Sequence, residues 1–280
     1  MKFTTLISAA ILGFSTAVLA LPAVIDLDDG VKLVPRVPTM KVRRSARKTN
    51  PKISAVSADG FAAESTNTSH VEYSTNWAGA VLIGSGYKTV TATIVVPTPH
   101  RPSGGSTTTQ YAASAWVGID GDTCQTSILQ TGVDFYVQGS TVSFDAWYEW
   151  YPDYAYTFSN FAISAGDSIT MTATATSTSS GSVTIKNNTK GKTVTHSFSG
   201  QSAHLCETNA EFIVEDFEEN GSLVPFANFG TVTFTGAKVT TTSGATVGVS
   251  GASILDIKQN NVVLTNCGTS GSSTVTCSYV

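Results

Sequence analysis

The sequence lacks the residue patterns that several classes of hydrolase need. It contains no Gly-x-Ser-x-Gly elbow for a serine nucleophile and no Cys-x-x-Cys or His-Glu-x-x-His spacing for zinc. A pair of Asp-Thr-Gly or Asp-Ser-Gly turns is also missing, because Asp122-Thr123 and Asp167-Ser168 are not followed by glycine. These absences disfavour serine, metal and paired-aspartate chemistry. Carboxylates and amides remain as the candidate reactive groups.

Long apolar segments are scarce as well. The run over residues 6–19 is shorter than the roughly 20 apolar residues that cross a bilayer. Lys2 precedes it and Val18-Leu19-Ala20 ends it, which is the form of a secretory signal peptide with a small-residue cleavage site. We therefore expect residues 1–20 to be a signal peptide, the protein to be secreted and extracellular, and no membrane to be a partner.

Acidic residues are absent from residues 31–52, where eight lysines and arginines and three prolines occur. Beyond His70 the balance reverses, with seven basic residues against fifteen acidic ones. A basic segment can be a disordered tail or a nucleic-acid ligand, but a secreted chain with an acidic body argues against nucleic acid. We interpret residues 21–69 as a removable propeptide that lies over an acidic cleft and acts as the chain's own inhibitor.

Helix formers are few in the body of the chain, which we place at residues 70–280 as one domain. Ser, Thr, Val and Gly dominate, and segments such as 89–96 and 168–176 alternate with a period of two, which is typical of half-buried strands. Turn signals separate the segments at short intervals, as in Gly84-Ser85-Gly86. The pattern predicts an all-β, antiparallel, two-sheet sandwich.

The chain has four cysteines, Cys124, Cys206, Cys267 and Cys277. In an exported protein an even number predicts disulfides, here two bonds with three possible connectivities. The short spacing favours a Cys267–Cys277 bond that staples a hairpin.

The acidic segment 208–220 places five carboxylates within nine residues around an apolar centre. A solvated face is the ordinary interpretation of such a run. Thr208 with Glu211 fits a helix capping box and Asn220-Gly221 fits a helix stop, whereas the β-branched and aromatic centre favours a strand. We predict a strand, which puts Glu211, Ile213, Glu215 and Phe217 on one face.

Residues 209–218, Asn-Ala-Glu-Phe-Ile-Val-Glu-Asp-Phe-Glu, resemble the motif around the catalytic glutamate of the fungal glutamic peptidases, or eqolisins. Residues 116–132 are similar to the family segment with the catalytic glutamine, and residues 145–152 to its substrate-cleft strand. The resemblance runs from about residue 76 to residue 280. It implies a jelly-roll, lectin-like sandwich and a Cys124–Cys206 disulfide.

By the same resemblance, Glu215 is the general base and acid, and Gln130 supports the oxyanion; Glu211 shares the predicted face and ranks second as base. Residues matched to the substrate groove of the family, or placed beside it by the period of two, are Asn76, Trp77, Asp120, Asp134, Asp145, Trp147, Glu149, Phe217 and Glu218. Ala146, Tyr148 and Trp150, on the other face of the strand, are expected in the core.

We therefore expect a secreted acid endopeptidase, made as a zymogen, monomeric, insensitive to pepstatin, acting on proteins or peptides without metal or organic cofactor. Two alternatives stay open. A glycoside hydrolase would pair carboxylates such as Glu149 and Glu215, and a carbohydrate-binding module would use Trp147, Trp150 and Tyr151. Sequons at Asn67, Asn187 and Asn220 are candidate glycan sites.

Overall fold

The computed structural model describes residues 25–26, 32–35, 47–55 and 71–280, so the predicted signal peptide and the Asn67 sequon lie outside it. Every regular element in this part of the chain is a strand, and no helix in it is able to span a membrane. The strands are β1 (Ile25–Asp26), β2 (Lys32–Pro35), β3 (Arg47–Lys48), β4 (Val71–Ser74), β5 (Trp77–Ile83), β6 (Tyr87–Val95), β7 (Gln110–Ile119), β8 (Ile128–Gln138), β9 (Thr141–Tyr151), β10 (Tyr156–Phe158), β11 (Ser168–Ser177), β12 (Ser180–Asn187), β13 (Lys192–Phe198), β14 (Asn209–Glu215), β15 (Glu218–Glu219), β16 (Ser222–Leu223), β17 (Thr231–Thr241), β18 (Thr246–Val247), β19 (Ser253–Gln259), β20 (Val262–Val263), β21 (Thr265–Ser270) and β22 (Thr274–Tyr279).

The strands form two large sheets and a small one. The first large sheet has the order β1-β2-β10-β9-β8-β7-β14-β5-β19-β20, and β4 runs parallel to β19 beside it. The second has the order β13-β12-β11-β6-β17-β22-β21, with β18 beside β17. The small sheet, β16-β15-β3, joins the basic segment to the body of the chain. The predicted all-β sandwich is confirmed.

The core lies between the two large sheets and follows from the alternation of apolar residues. Ala115, Val117 and Ile119 of β7 point into it from the first sheet, and Ile94 and Met171 from the second. Transfer of each large apolar side chain out of water stabilises the fold by about 1.5–3 kcal/mol. The segments predicted as strands from their period of two correspond to β6 and β11.

Residues 209–215 of the acidic segment form the buried strand β14 between β5 and β7, which confirms a strand at Glu211, Ile213 and Glu215. Phe217, predicted on the same strand face, lies beyond the end of β14. Both edges of β14 are hydrogen-bonded. Both of its faces are also buried, since Phe212 packs in the core and Ile213 packs with the apolar cluster on the opposite face. Asn220-Gly221 is not a helix stop. Both residues have positive φ, 54° and 79°, and they close the two-residue hairpin between β15 and β16, where a turn of this kind favours Asn-Gly.

Both predicted disulfides are present. Cys267 lies opposite Cys277 on the neighbouring strands β21 and β22. Cys124–Cys206 joins residues 82 positions apart and ties the loop after β7 to the segment that enters β14. Among the sequons, Asn187 is buried and its amide donates to Asp167, which leaves no room for a glycan in this fold, whereas Asn220 is exposed.

Candidate active site

The candidate site lies on the face of the first large sheet that points away from the core, which we call the cleft face. The period of two puts polar and aromatic residues there from five neighbouring strands, β5, β14, β7, β8 and β9. The cleft face consists of Trp77, Ser114, Trp116, Gly118, Gln130, Gly132, Asp134, Asp145, Trp147, Glu149, Glu211, Ile213 and Glu215.

Strand register arranges these residues in three rows across β14, β7, β8 and β9. The first row is Glu215, Ser114, Asp134 and Asp145. The second is Ile213, Trp116, Gly132 and Trp147. The third is Glu211, Gly118, Gln130 and Glu149. The structure thus collects most of the residues that the sequence singled out on one surface.

Two glycines make space for the indole rings between the rows. A Cβ at Gly118 would lie 2.8 Å from Trp116 Cζ3 and 3.2 Å from Gln130 Cβ. A Cβ at Gly132 would lie 2.5 Å from Trp116 Cβ and 2.8 Å from Trp147 Cζ2. The Trp116 ring therefore extends over Gly118 toward the third row, and its Nε1–H reaches Glu215 in the first row.

Glu215 is fully buried at the end of β14. The Trp116 Nε1–H donates to its Oε2 atom at 2.9 Å, and its Oε1 atom has no hydrogen-bond partner among the described residues. Burial raises the pKa of Glu215 well above its usual range, Glu149 and Asp216 raise it further, and Arg47 and the Trp116 donor oppose them. The carboxyl is therefore a proton-binding group with one oxygen held and one oxygen available.

Gln130 is also fully buried, on β8. Neither its Nε2 nor its Oε1 atom has a hydrogen-bond partner within the described part of the chain. A buried amide without partners destabilises a fold by about 1–3 kcal/mol. We expect such a group where a bound ligand supplies the missing hydrogen-bond partners. The Gln130 Nε2–H₂ group can donate hydrogen bonds to a developing negative charge.

Glu211 is a second buried carboxyl on β14, and neither of its oxygens has a partner among the described residues. Burial raises its pKa well above the usual range, with added repulsion from Asp120 and Asp122. No donor holds it as Trp116 holds Glu215. Glu211 lies in the row of Gln130, so the geometry keeps it as the competing base.

Residues 47–52 of the basic segment lie across the cleft face. The Arg47 side chain forms a salt bridge to Asp134, and the Thr49 N–H donates to Glu149 Oε2 at 3.2 Å. Lys52 forms a salt bridge to Asp122 at the other end. β3 also pairs with β15, Lys48 opposite Glu218. Residues 47–52 therefore occupy the surface that a ligand of this face would use.

Predicted groove residues flank the same segment. The Trp77 Nε1–H donates to the carbonyl of Asn50 at 3.0 Å, and the Asn50 side chain donates to Glu218 Oε2 at 2.7 Å. Asn76 accepts from the Ile53 N–H at 2.9 Å. Other predicted groove residues on or beside this face are Asp145, which is half-buried, and Trp147 and Phe217, which are buried.

Asp120 does not fit the role in the groove that the resemblance implied. Its carboxylate accepts hydrogen bonds from the backbone N–H groups of residues 206, 207, 208 and 209 at 2.7–3.2 Å. It therefore fixes the loop that leads into β14. The sequence does not show this because the partners are backbone groups more than 80 residues away. In the loop after β7, it is Asp122 that forms an ion pair with the basic segment, through Lys52.

Three residues that hold the site were not assigned roles from the sequence. Trp116 donates to Glu215, the Ser114 hydroxyl accepts from Trp147 Nε1 at 3.1 Å, and the Tyr136 hydroxyl donates to Asp134 Oδ2 at 2.8 Å. The available signal was the period of two, which places Ser114 and Trp116 on one face of β7. Among the described residues, one group has metal-ligand spacing, Asp120 with Cys124 and Cys206, and its sulfurs are joined in a disulfide.

Comparison with known proteins shows that this β-sandwich with its carboxyl-lined face is that of a glutamic-type peptidase. Enzymes of this class hydrolyse peptide bonds. The chain belongs to the Peptidase A4 family, whose model matches residues 75–279. It is 50% identical over 297 residues to Aspergillopepsin-2 of Aspergillus niger, covering 100% of both chains. It is 50% identical over 246 residues to Scytalidopepsin B of Scytalidium lignicola, covering 85% of this chain and 89% of that one.

Solved structures agree with this assignment. Scytalido-glutamic peptidase with a transition-state analogue inhibitor has a TM-score of 0.67 at 51% identity, covering 74% of this chain and 98% of that one. Aspergilloglutamic peptidase from Aspergillus niger has a TM-score of 0.59 at 61% identity, covering 61% of this chain and 99% of that one. The expected family and the expected enzyme class are confirmed.

Proposed function

We propose that this glutamic peptidase is a secreted acid endopeptidase in which Glu215 and Gln130 form the catalytic pair. The observation that carries the proposal is a buried Glu215 with one oxygen held by Trp116 and one unengaged, on the same face as a Gln130 amide without partners. Trp116 lies between the two groups, because its ring extends over Gly118, the strand neighbour of Gln130, and its Nε1–H reaches Glu215.

The chemistry requires one proton carrier and one oxyanion donor. The Glu215 carboxylate removes a proton from a water molecule as the water oxygen attacks the peptide carbonyl, and the Gln130 Nε2–H₂ donates to the tetrahedral oxyanion. Glu215 then gives the proton to the leaving amine as the C–N bond breaks. No covalent bond forms to the protein, and neither a metal nor an organic cofactor enters these steps.

We also propose that the chain is made as a zymogen whose basic propeptide blocks the site. The expected inhibitory segment, residues 31–52, includes the residues that contact Asp134, Glu149 and Asp122. Burial raises the pKa of Glu215 and Arg47 of this segment lowers it, so departure of the segment would remove the Arg47 charge and admit water to the cleft face. At acid pH, activation would therefore both remove the propeptide and expose the Glu215 carboxyl to water.

Substrate binding is assigned to the residues that meet the basic segment or stand beside it. These are Asn76, Trp77, Asp134, Asp145, Trp147, Glu149, Phe217 and Glu218. A peptide ligand is in keeping with the structure of a relative, SCP-B, described in a complex with the tripeptide Ala-Ile-His. We expect a monomeric enzyme that acts on protein and peptide substrates.

One assay separates this function from its alternatives. Purified, acid-activated protein is incubated with denatured protein and with polysaccharide at acid pH. We expect new peptide termini from the first substrate and no reducing ends from the second. Release of reducing sugar would support the glycoside hydrolase, and carbohydrate binding without hydrolysis would support the binding module. The family assignment does not favour either alternative.

A further inference from the structure

The side chain of Arg47 occupies a closed pocket on the cleft face. Arg47 is 1% exposed, and its guanidinium donates to both oxygens of Asp134, Nε to Oδ2 at 2.8 Å and Nη2 to Oδ1 at 2.9 Å. Its Cζ atom lies 3.8 Å from the centre of the Phe217 ring and 4.6 Å from that of Trp147. A planar cation is therefore held by a two-point ion pair between two aromatic rings.

The walls of the pocket belong to the body of the chain and are held there independently of Arg47. The Tyr136 hydroxyl donates to Asp134, and the Tyr136 ring packs edge-on against Phe217 with centroids 6.2 Å apart. Trp147 is fixed by its bond to Ser114. When the basic segment leaves, the Asp134 carboxylate and two aromatic faces remain without their cation.

The arrangement suits a guanidinium better than other side chains. Two parallel N–H donors match the two oxygens of a carboxylate, and the delocalised planar cation packs on aromatic faces. A lysine ammonium would satisfy Asp134 at one point and lose the planar packing. A neutral side chain would leave the Asp134 carboxylate buried and uncompensated, which is costly in a site with little water.

The pocket adjoins the proposed catalytic carboxyl. Asp134 lies in the same row as Ser114 and Glu215, on strands β8, β7 and β14. The pocket therefore lies two strands from Glu215 on the same face. The Arg47 guanidinium that fills it also acts on Glu215, because its positive charge lowers the pKa of that carboxyl.

We infer that the pocket formed by Asp134, Tyr136, Trp147 and Phe217 is a specificity subsite of the mature enzyme for an arginine side chain of the substrate. In the precursor, Arg47 occupies this subsite as a substrate mimic. The inference rests on the proposed endopeptidase function. It adds the chemical class of substrate side chain and the residues that select it.

The test uses fluorogenic peptides that are identical except at one position, which carries arginine, lysine or citrulline. Citrulline has the shape of arginine without its charge. The variable residue is moved through four positions on each side of the cleaved bond, and kcat/KM is measured for mature wild type, Asp134→Asn, Phe217→Leu and Asp153→Asn. Asp153 is an exposed acid in the turn after β9, and its variant controls for the loss of one negative charge.

At one position we expect wild type to prefer arginine to citrulline by about 10–100-fold. The ratio of kcat/KM for the arginine peptide to that for the citrulline peptide should fall to near one in Asp134→Asn. It should fall partly in Phe217→Leu and stay unchanged in Asp153→Asn. Because each ratio is taken within one variant, a general loss of activity cancels. Equal rates for arginine and citrulline at every position in an active wild-type enzyme would overturn the inference. Absence of peptide hydrolysis altogether would instead overturn the proposed function.

Discussion

The indole Nε1–H of Trp116 donates to Oε2 of Glu215 at 2.9 Å, across the neighbouring strands β7 and β14. A donor favours the ionised carboxylate and lowers the pKa of Glu215 against the effect of burial. The same bond fixes one carboxyl oxygen, and the other has no hydrogen-bond partner among the described residues. Trp116 is therefore proposed as the residue that positions the base.

Trp116→Phe should keep the ring packing and remove this donor. Without it the pKa of Glu215 rises further, so the acidic limb of the kcat/KM profile should move to higher pH by roughly one to two units. Trp150→Phe is the matched control, because the Trp150 Nε1–H donates to a backbone carbonyl of Ala203 from the core face. Movement of the limb in the control, or an unmoved limb in Trp116→Phe, would contradict the role.

Inhibition by the basic segment should depend on pH. A synthetic peptide of residues 31–52 is added to the mature enzyme between pH 3 and pH 7. Ion pairs to carboxylates of the body hold the segment, and carboxylates in general lose their charge at acid pH, so inhibition should weaken as pH falls. Added salt should weaken the exposed contacts, since the Debye length is about 10 Å at 0.1 M.

The Arg47→Ala peptide should inhibit about 10–100-fold less than the natural peptide, because it loses a two-point ion pair. The Lys48→Ala peptide is the matched control. The Lys48 ammonium lies 4.8 Å from the centre of the Tyr151 ring, and it does not take part in the ion pairs that Arg47 and Lys52 form with the described residues of the body. Equal inhibition by all three peptides, or inhibition that strengthens toward pH 3, would show that charge pairing does not hold the precursor shut.

The free energy of unfolding should fall as pH rises from acid to neutral. Burial raises the pKa of Asp216 to about 8 and that of Asp256 to about 6. A carboxyl with a raised folded pKa binds its proton more tightly in the folded state, so unfolding releases protons between the unfolded pKa of about 4 and the folded pKa. The loss is therefore spread over about pH 4–8.

Asp216→Asn should flatten this decline, because the variant no longer ionises there. The upper bound on the change is on the order of 5 kcal/mol for a shift of this size. Urea midpoints of wild type and variant at pH 4, 6 and 8 give the slopes. Equal dependence of stability on pH in wild type and variant would show that Asp216 does not cause the decline. Wild-type stability that increases toward pH 8 would contradict the argument that buried carboxyls with raised pKa values cause it.

The inhibitor profile should follow from the side chains of the cleft face. All four cysteines are in disulfides, and the chain lacks paired Asp-Thr-Gly turns. We expect hydrolysis of a protein substrate to continue in pepstatin, serine-directed phosphonates, thiol reagents and chelators. Loss of activity in a chelator, restored by one divalent metal, would be the most damaging result, because the proposed steps use no metal.

The sequence predicts the strands and the faces of the site because both depend on local alternation. Glu215, Trp147 and Glu149 each lie on the side that a period of two assigns to them. The register of distant strands is not local. That Ser114 separates Glu215 from Asp134 depends on how segments as much as 100 residues apart pair. The sequence alone therefore did not reveal the bond from Trp116 or the pocket for Arg47.

Asp120 shows the limit of transfer by motif. A carboxylate in a recognised segment looks the same whether it meets a ligand or accepts four backbone N–H groups of its own chain. The position of residues 206–209 decides between these roles. That position is fixed by the Cys124–Cys206 bond and the fold around it.

Comparison of Glu215→Gln with Glu211→Gln in the mature enzyme tests the central claim most directly. Both changes replace a buried carboxyl of β14 with an amide of the same shape, so thermal unfolding should report folded proteins in both cases. Gln130→Ala is measured beside them, and loss of one oxyanion donor should lower kcat about 10²–10³-fold. We predict that Glu215→Gln abolishes measurable peptide hydrolysis while Glu211→Gln retains turnover. Normal turnover by a folded Glu215→Gln enzyme would contradict the account, and an inactive Glu211→Gln beside it would assign the base to Glu211.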